Sequence, residues 1–245
     1  MSLKKKVKSA MVYPITILGV AVGVVAILMV FVIPKFADMF TGMGGELPTV
    51  TQMVIDMSNF AASPKILIVI GAIFLFVFLF RRYYATENGK RRMDGIFLRA
   101  PIFGPLIRKV SVAKFTRTLG TMLSSGVPLL DALEICAKTA GNKVVEDAVF
   151  MTKDSIEEGK TIAEPLEETG VFPPMVVQMI SVGEATGALD AMLSKIADFY
   201  DDEVDTAVDA LTSLMEPMMM VFLGGAIGFV VIAMYLPIFK MATLG

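Results

Sequence analysis

Apolar residues fall into three long runs separated by stretches of helical periodicity, and two of these runs repeat one another. Tyr13-Pro14 opens the text YPITILGVAVGVVAILMVFVIPKF, and Glu216-Pro217 opens EPMMMVFLGGAIGFVVIAMYLPIF. Pro14 corresponds to Pro217, Pro34 to Pro237 and Phe36 to Phe239 at one common offset. Such self-similarity marks a chain built from a repeated unit. The run between these two, Ile66 to Phe80, is second in chain order; it is short for a bilayer crossing and borrows Ala61-Ala62 or Tyr83-Tyr84 as interfacial anchors.

A helix needs roughly 20 apolar residues to cross a hydrocarbon core of about 30 Å, and each of the two repeated runs supplies them. The first run comes after Lys4, Lys5, Lys6 and Lys8, as a secretory signal would, but it is too long for a signal core and no A-x-A-like cleavage site comes after it. After Pro34 the pattern predicts a polar interval with Gly42, Gly44, Gly45 and Pro48. A short amphipathic helix is predicted next, with Val50, Met53, Val54, Met57, Phe60 and Ala61 on its apolar side. It either lies on the bilayer surface or simply connects two spans.

From Arg92 to about Glu216 the periodicity is helical, with frequent stop and start signals. A helix over Ser111–Ser125 ends at Gly126, and Pro128 stands as a first helical residue for Leu129–Thr139. Gly141-Asn142 stops that helix and starts the next, which runs to Gly159. Thr161-Ile162-Ala163-Glu164 has the form of a capping box, and Pro173-Pro174 opens a helix that ends at Gly187. Beyond it, apolar residues from Leu189 to Leu214 keep three-to-four spacing up to Pro217, which predicts one long helix passing from a bundle into the third span, with a kink near Pro217.

Composition agrees with a membrane protein: 55% of residues are hydrophobic and mean hydropathy is +0.70. A net charge of −2 excludes a generally basic nucleic-acid binder. The distribution of charge is uneven, however. Arg81, Arg82, Lys90, Arg91, Arg92, Arg99, Arg108, Lys109, Lys114 and Arg117 come after the second run, whereas Lys35 and Lys65 alone flank the first interval. The positive-inside rule then places the N-terminus and the helical domain in the cytoplasm, with membrane lipid head groups as the partner of these cations and no nucleic acid. The fold class is therefore all-α, a multi-pass membrane protein with about three transmembrane helices and one cytoplasmic helix bundle. The expected organisation is a basic cytoplasmic N-terminus 1–11, spans at 12–33, 64–82 and 217–239, an extracytoplasmic loop 34–63, a cytoplasmic bundle 83–216 and an extracytoplasmic C-terminus 240–245.

Candidate chemistry is sparse. There is no histidine, and Cys136 stands alone, so neither a disulfide nor a multi-thiolate metal site can form within the chain. No cofactor is expected. Gly159-Lys160-Thr161 imitates the end of a phosphate-binding loop, but Asp154 occupies the position of its first glycine and no strand precedes it. The glycine cluster Gly42-Met43-Gly44-Gly45 and the pair Gly224-Gly225 lack the setting of a dinucleotide fingerprint. The acidic series Asp198, Asp201, Asp202, Glu203, Asp205 and Asp209 reads as a solvated face, with a divalent-cation site or a docking surface for a basic partner as alternatives. Gly19 with Gly23 and Gly224 with Gly228 form G-x-x-x-G spacings, suited to close helix packing either within the chain or between subunits. The apolar runs hold no ionisable residue between their flanking charges, which argues against a transporter or channel, and no nucleophile and base stand out for an enzyme.

Val171 to Phe239 strongly resembles the type II secretion system protein F family, the inner-membrane platform proteins of type II secretion systems and type IV pili. Ser125-Gly126-Val127-Pro128-Leu129 with Ala132-Leu133 is similar to that family's opening helix-turn signature. Phe172-Pro173, Gly183-Glu184, Gly187 and Leu189 resemble its central one. Tyr13-Pro14, Pro34 to Phe36 and Leu47-Pro48-Thr49 resemble the first span and the segment after it. Family members usually carry two cytoplasmic helical domains, and this chain resembles the C-terminal portion, with Lys6-Val7-Lys8 matching the end of a first copy. The resemblance implies a scaffold without enzymatic activity, with a cytoplasmic secretion or pilus ATPase, pilin or pseudopilin transmembrane helices, other inner-membrane assembly proteins and further copies of itself as partners. Gly126, Pro128, Pro173, Gly183, Glu184 and Gly187 are its candidates for bundle geometry or partner contact. Pro14, Gly19, Gly23, Pro34, Glu216, Pro217, Gly224, Gly228 and Pro237 are candidates for helix packing and membrane crossing.

Overall fold

The computed structural model describes residues 3–42, 48–101 and 103–244. Gly44, Gly45 and Leu47 of the expected interval, and Met43 of the glycine cluster, lie outside the described residues. Among those described, every regular element is helical. Among the described residues, three helices are long and apolar enough to cross a membrane: Met11–Met39, Lys65–Tyr84 and Leu189–Phe239. The chain divides into two compact units, one chiefly Phe80–Asp209 and the other Val7–Leu79 with Ala210–Gly245.

In the apolar unit, α1 (Leu3–Ile27) does not stop at Pro34. It widens into a π-helical turn over Leu28–Val32 and continues as α2 (Ile33–Gly42). The expectation of a polar interval starting after Pro34 is thereby corrected, and the reason is local. Proline lacks an N–H, and its ring clashes with the carbonyl four residues earlier in an α-helix. The π turn relieves the clash by shifting the register: the Ile33 N–H bonds to the Leu28 carbonyl, five residues back.

In that register the next donor would be Pro34 and the next acceptor Met29. The Met29 carbonyl instead accepts the Ser58 hydroxyl, supplied by α3 (Thr49–Ala62). Pro237 similarly cannot donate to the carbonyl four residues before it, Ala233, and that carbonyl accepts the Thr51 hydroxyl of α3 at 2.6 Å. Thr51, Val54 and Ser58 form the buried face of α3, and Val54 joins Ile33, Val230 and Ala233 in a small core. Buried carbonyls demand such partners because an unpaired one forfeits its hydration. Of the predicted apolar side, Met53, Met57 and Phe60 remain exposed and, with Met29, flank an open groove of about 680 Å³.

Next, α4 (Lys65–Tyr84) runs through both tyrosines proposed as anchors and buries none of its side chains. Its composition suits acyl chains as its surroundings.

The second unit is a helix bundle: α5 (Glu87–Arg99), α6 (Phe103–Ser124), α7 (Leu129–Thr139), α8 (Lys143–Glu157), α9 (Ala163–Glu168), α10 (Pro174–Thr186) and the start of α11 (Leu189–Leu244). Its core holds Phe115, Leu119, Leu133, Val145, Ile180, Leu193 and Ile196, all fully buried. Phe115 meets Phe172 with ring centroids 4.9 Å apart and planes inclined by 53°. Burying side chains of this size stabilises by about 1.5–3 kcal/mol each, which short helices need because isolated ones are marginal. Asn142 caps α8, accepting from the Val144 and Val145 N–H groups as its sequence position predicts. Pro128 precedes its helix as the cap residue rather than serving as the first helical residue. Both Pro217 and Pro237 lie inside α11.

Candidate functional site

Of the residues singled out in the bundle, Gly126, Pro128, Gly183, Glu184 and Gly187 belong to two helix–helix turns, and Pro173 stands at the opposite end of α10. After α6, the Val127 N–H bonds to the Met122 carbonyl at 3.0 Å and the Gly126 N–H to Leu123 at 2.9 Å, the paired bonds of a Schellman stop. The same device closes α10: the Ala188 N–H reaches the Gly183 carbonyl at 2.9 Å, and Gly187 takes φ 72°, ψ 11°. That left-handed conformation costs an L-side chain roughly 1–2 kcal/mol, which glycine avoids.

Gly183 matters through space rather than conformation. A Cβ there would stand 3.0 Å from the Leu189 Cα and 3.1 Å from the Met192 side chain. Its absence lets α10 and α11 approach closely immediately after the turn. Glu184, next to it, turns inward: both carboxylate oxygens accept the Ile162 N–H, at 3.0 and 3.1 Å. The predicted capping box at Thr161 is corrected accordingly. Ile162 is the cap residue of α9, it offers no side-chain acceptor, and Glu184 of α10 supplies the missing carboxylate from across the bundle. Pro173 caps α10 in extended conformation and its carbonyl accepts from Val176 at 2.9 Å.

The α6 and α11 helices run antiparallel. Gly120 would bring a Cβ to 3.1 Å from that of Leu193, Arg117 bonds Asp198 at 2.6 Å and Asp201 at 2.7 Å, and Lys109 bonds Glu203 at 2.6 Å. The two carboxylates, Asp201 foremost, hold the Arg117 guanidinium above its ordinary pKa through hydrogen bonds. Ser124 at the end of α6 and Asp190 at the start of α11 line a polar groove of about 250 Å³ with Arg117, Thr121 and Ser194. The Gly126 and Gly187 turns therefore lie at the same end of this helix pair, both exposed.

Part of the acidic series is thus committed internally, to α6. Among the described residues no cluster of three or more histidine, cysteine or acidic side chains could hold a metal ion. Several of the basic residues are engaged as well: Arg91 with Asp147 at 2.6 Å, Lys109 and Arg117 as above, and Lys114 with the Thr139 carbonyl.

Two residues escape a reading of the sequence alone. Gly120 sits mid-helix, where an isolated glycine signals close packing. Asp94 is buried and accepts the Tyr84 hydroxyl at 2.6 Å and the Lys143 N–H at 2.6 Å. It joins the end of α4 to the start of α8, and no local pattern in the sequence distinguishes it from a solvated acid.

In the apolar unit, Pro14 and Pro237 are buried, Pro34 is half-buried, and Pro217 and Glu216 are exposed. A Cβ built on Gly19, Gly23, Gly224 or Gly228 would meet nothing within 4 Å. Among the described residues, neither G-x-x-x-G spacing is used for packing within the chain.

Comparison with known proteins identifies relatives over nearly this whole length. The family described as type II secretion system (T2SS), protein F, matches residues 115–237, half of the chain. The type IV pilus assembly protein PilC of Myxococcus xanthus is 57% identical over 240 residues, covering 98% of this chain and 57% of its own length. The protein of the same name from Thermus thermophilus is 46% identical over 98% of this chain and 59% of its own length. The type II secretion system protein F of Vibrio cholerae is 32% identical over 99% of this chain and 59% of its own. The chain thus spans about three fifths of the length of these relatives.

Proposed function

The chain belongs to the type II secretion system protein F family, and on that premise we propose that it acts as an inner-membrane platform in a machine that assembles pilin-like subunits. The observation that carries this reading is similarity along nearly the entire chain to pilus-assembly and secretion proteins at once. Identity of 57% and 46% to the pilus assembly proteins, against 32% to the secretion protein, favours a type IV pilus.

In this role the chain scaffolds and performs no reaction itself. The bundle lies in the cytoplasm with the N-terminus, and the C-terminus lies outside. The exposed end bearing the Gly126 and Gly187 turns contacts a cytoplasmic ATPase. Its groove mixes Arg117 with Asp190, Thr121, Ser124 and Ser194, and its helices are held rigid by Gly183 packing and the Glu184 cap, so a push at the turns reaches α11 directly. The vacant glycine faces at Gly19–Gly23 and Gly224–Gly228 suit close approach by pilin transmembrane helices or by further copies of the chain.

Deleting the gene in its own cell and restoring it tests the reading. Loss of surface pili that returns with the wild-type chain supports the platform role; full piliation in the deletion strain counts against it.

A further inference from the structure

Away from the turn end, the bundle carries a second groove, of about 410 Å³, between the α5–α6 connection, Pro173 and α11. Its charge is one-sided. Arg99, Arg108 and Lys109 line it against a single carboxylate, Glu203, and Lys109 neutralises that carboxylate at 2.6 Å. Arg99 and Arg108 make no hydrogen bond or ion pair with any described residue, and both are exposed. The groove is also lined by Phe199 and Tyr200, which pack edge to face with centroids 5.4 Å apart, and by the apolar rings of Pro101 and Pro105.

Tyr200 supplies an independent pointer. The residue is 6% exposed, yet its hydroxyl has no partner among the described residues, and no fully enclosed side-chain oxygen lacks one. The hydroxyl therefore keeps contact with solvent, and Tyr200 is among the residues that line the groove. A buried phenol ordinarily finds an acceptor, and here two unpaired guanidiniums share the same cleft. Planar guanidiniums suit phosphate oxygens in bidentate fashion.

We propose that this groove binds a phosphate ester, its anionic oxygens received by Arg99, Arg108 and the Tyr200 hydroxyl and its carbon portion resting on Phe199 and the two prolines. The same chemistry is offered by a phospholipid head group and by a soluble phosphate monoester, and the test separates them.

The full chain, purified in a neutral maltoside detergent, is titrated with glycerol 3-phosphate by calorimetry and, separately, with phosphatidylglycerol or phosphatidylcholine by native mass spectrometry. Saturable binding of glycerol 3-phosphate identifies a soluble ligand; retention of phosphatidylglycerol over phosphatidylcholine identifies a lipid. In either case Arg99→Gln with Arg108→Gln weakens binding about ten-fold or more, and Tyr200→Phe, which keeps the ring, weakens it about three- to five-fold. Arg92→Gln, an exposed cation of α5 outside the groove, leaves it unchanged. Helical circular dichroism confirms that each variant is folded. Saturation by neither probe, or an equal loss in Arg92→Gln, overturns the proposal.

Discussion

The Thr51 hydroxyl donates to the Ala233 carbonyl at 2.6 Å, and Ala233 is the residue that Pro237 leaves without an intrahelical partner. Seven residues along the same face of α3, Ser58 does the same for Met29, the carbonyl orphaned by Pro34 in the π register. The two prolines that mark the internal repeat are thus answered by one short helix. Thr51→Val should destabilise the apolar unit by about 1–3 kcal/mol, since it strands a buried carbonyl, and Thr51→Ser should recover most of the loss. In a Pro237→Ala background the helix regains its own N–H, so the cost of Thr51→Val should fall toward zero. Thermal unfolding of these variants in detergent measures the coupling.

Gly183→Ala sets two effects against each other. Helix propensity favours alanine by about 1 kcal/mol, but the new Cβ meets the Leu189 Cα at 3.0 Å, and backbone cannot yield as a side-chain tip can. Overpacking of this kind costs about 1–3 kcal/mol, so a lower melting temperature is expected, and a larger drop for Gly183→Val. At Gly120 the nearest atom is the Leu193 Cβ at 3.1 Å, a side-chain atom one bond from the backbone, and the penalty should be smaller.

Glu134 gives a pH signature. Hydrogen bonds from Lys138 and then Lys153 lower its pKa from 4.5 to about 2. A depressed folded-state pKa means that the stabilisation is present above the unfolded value and is lost as pH falls through the folded one. Wild type and Glu134→Gln should therefore differ in stability at pH 7 and converge between about pH 4.5 and pH 2, as acid titration followed by circular dichroism would record.

Cys136 lies in the bundle core, where burial pushes its thiol up to about 12. Only the thiolate alkylates readily. At pH 8 iodoacetamide should leave the native chain unmodified, and labelling should rise in step with denaturant-induced loss of helix. Rapid labelling of the folded protein would contradict the packing described for α7.

What the sequence reveals and what it conceals divide along a physical line. Punctuation carried by a single residue or a local pair is legible: the Asn142 cap, the Gly187 stop and the three apolar helices each depend on neighbours within a turn. Features that need a distant partner are not. Nothing near Thr51 points to a carbonyl 182 residues away, and the Thr161 capping box looks complete locally although Glu184 of another helix takes its role. Pro34 reads as an ending because the π turn that admits it has no sequence signal of its own. In the candidate site the turns and Gly183 are visible, Gly120 offers only the signal of a mid-helix glycine without naming the helix it meets, and Asp94 is hidden by its ordinary local context.

The platform role is tested most directly by recovering the chain from its own cells in mild detergent with a C-terminal tag and identifying what accompanies it. A pilus or secretion ATPase is expected, enriched over a tag-only control and reduced at least ten-fold by Ser124→Lys with Asp190→Lys, a pair that alters the turn-end groove without entering the core. An ATPase absent from the wild-type preparation, or retained equally by the double variant, would contradict the assignment of that end of the bundle as the contact.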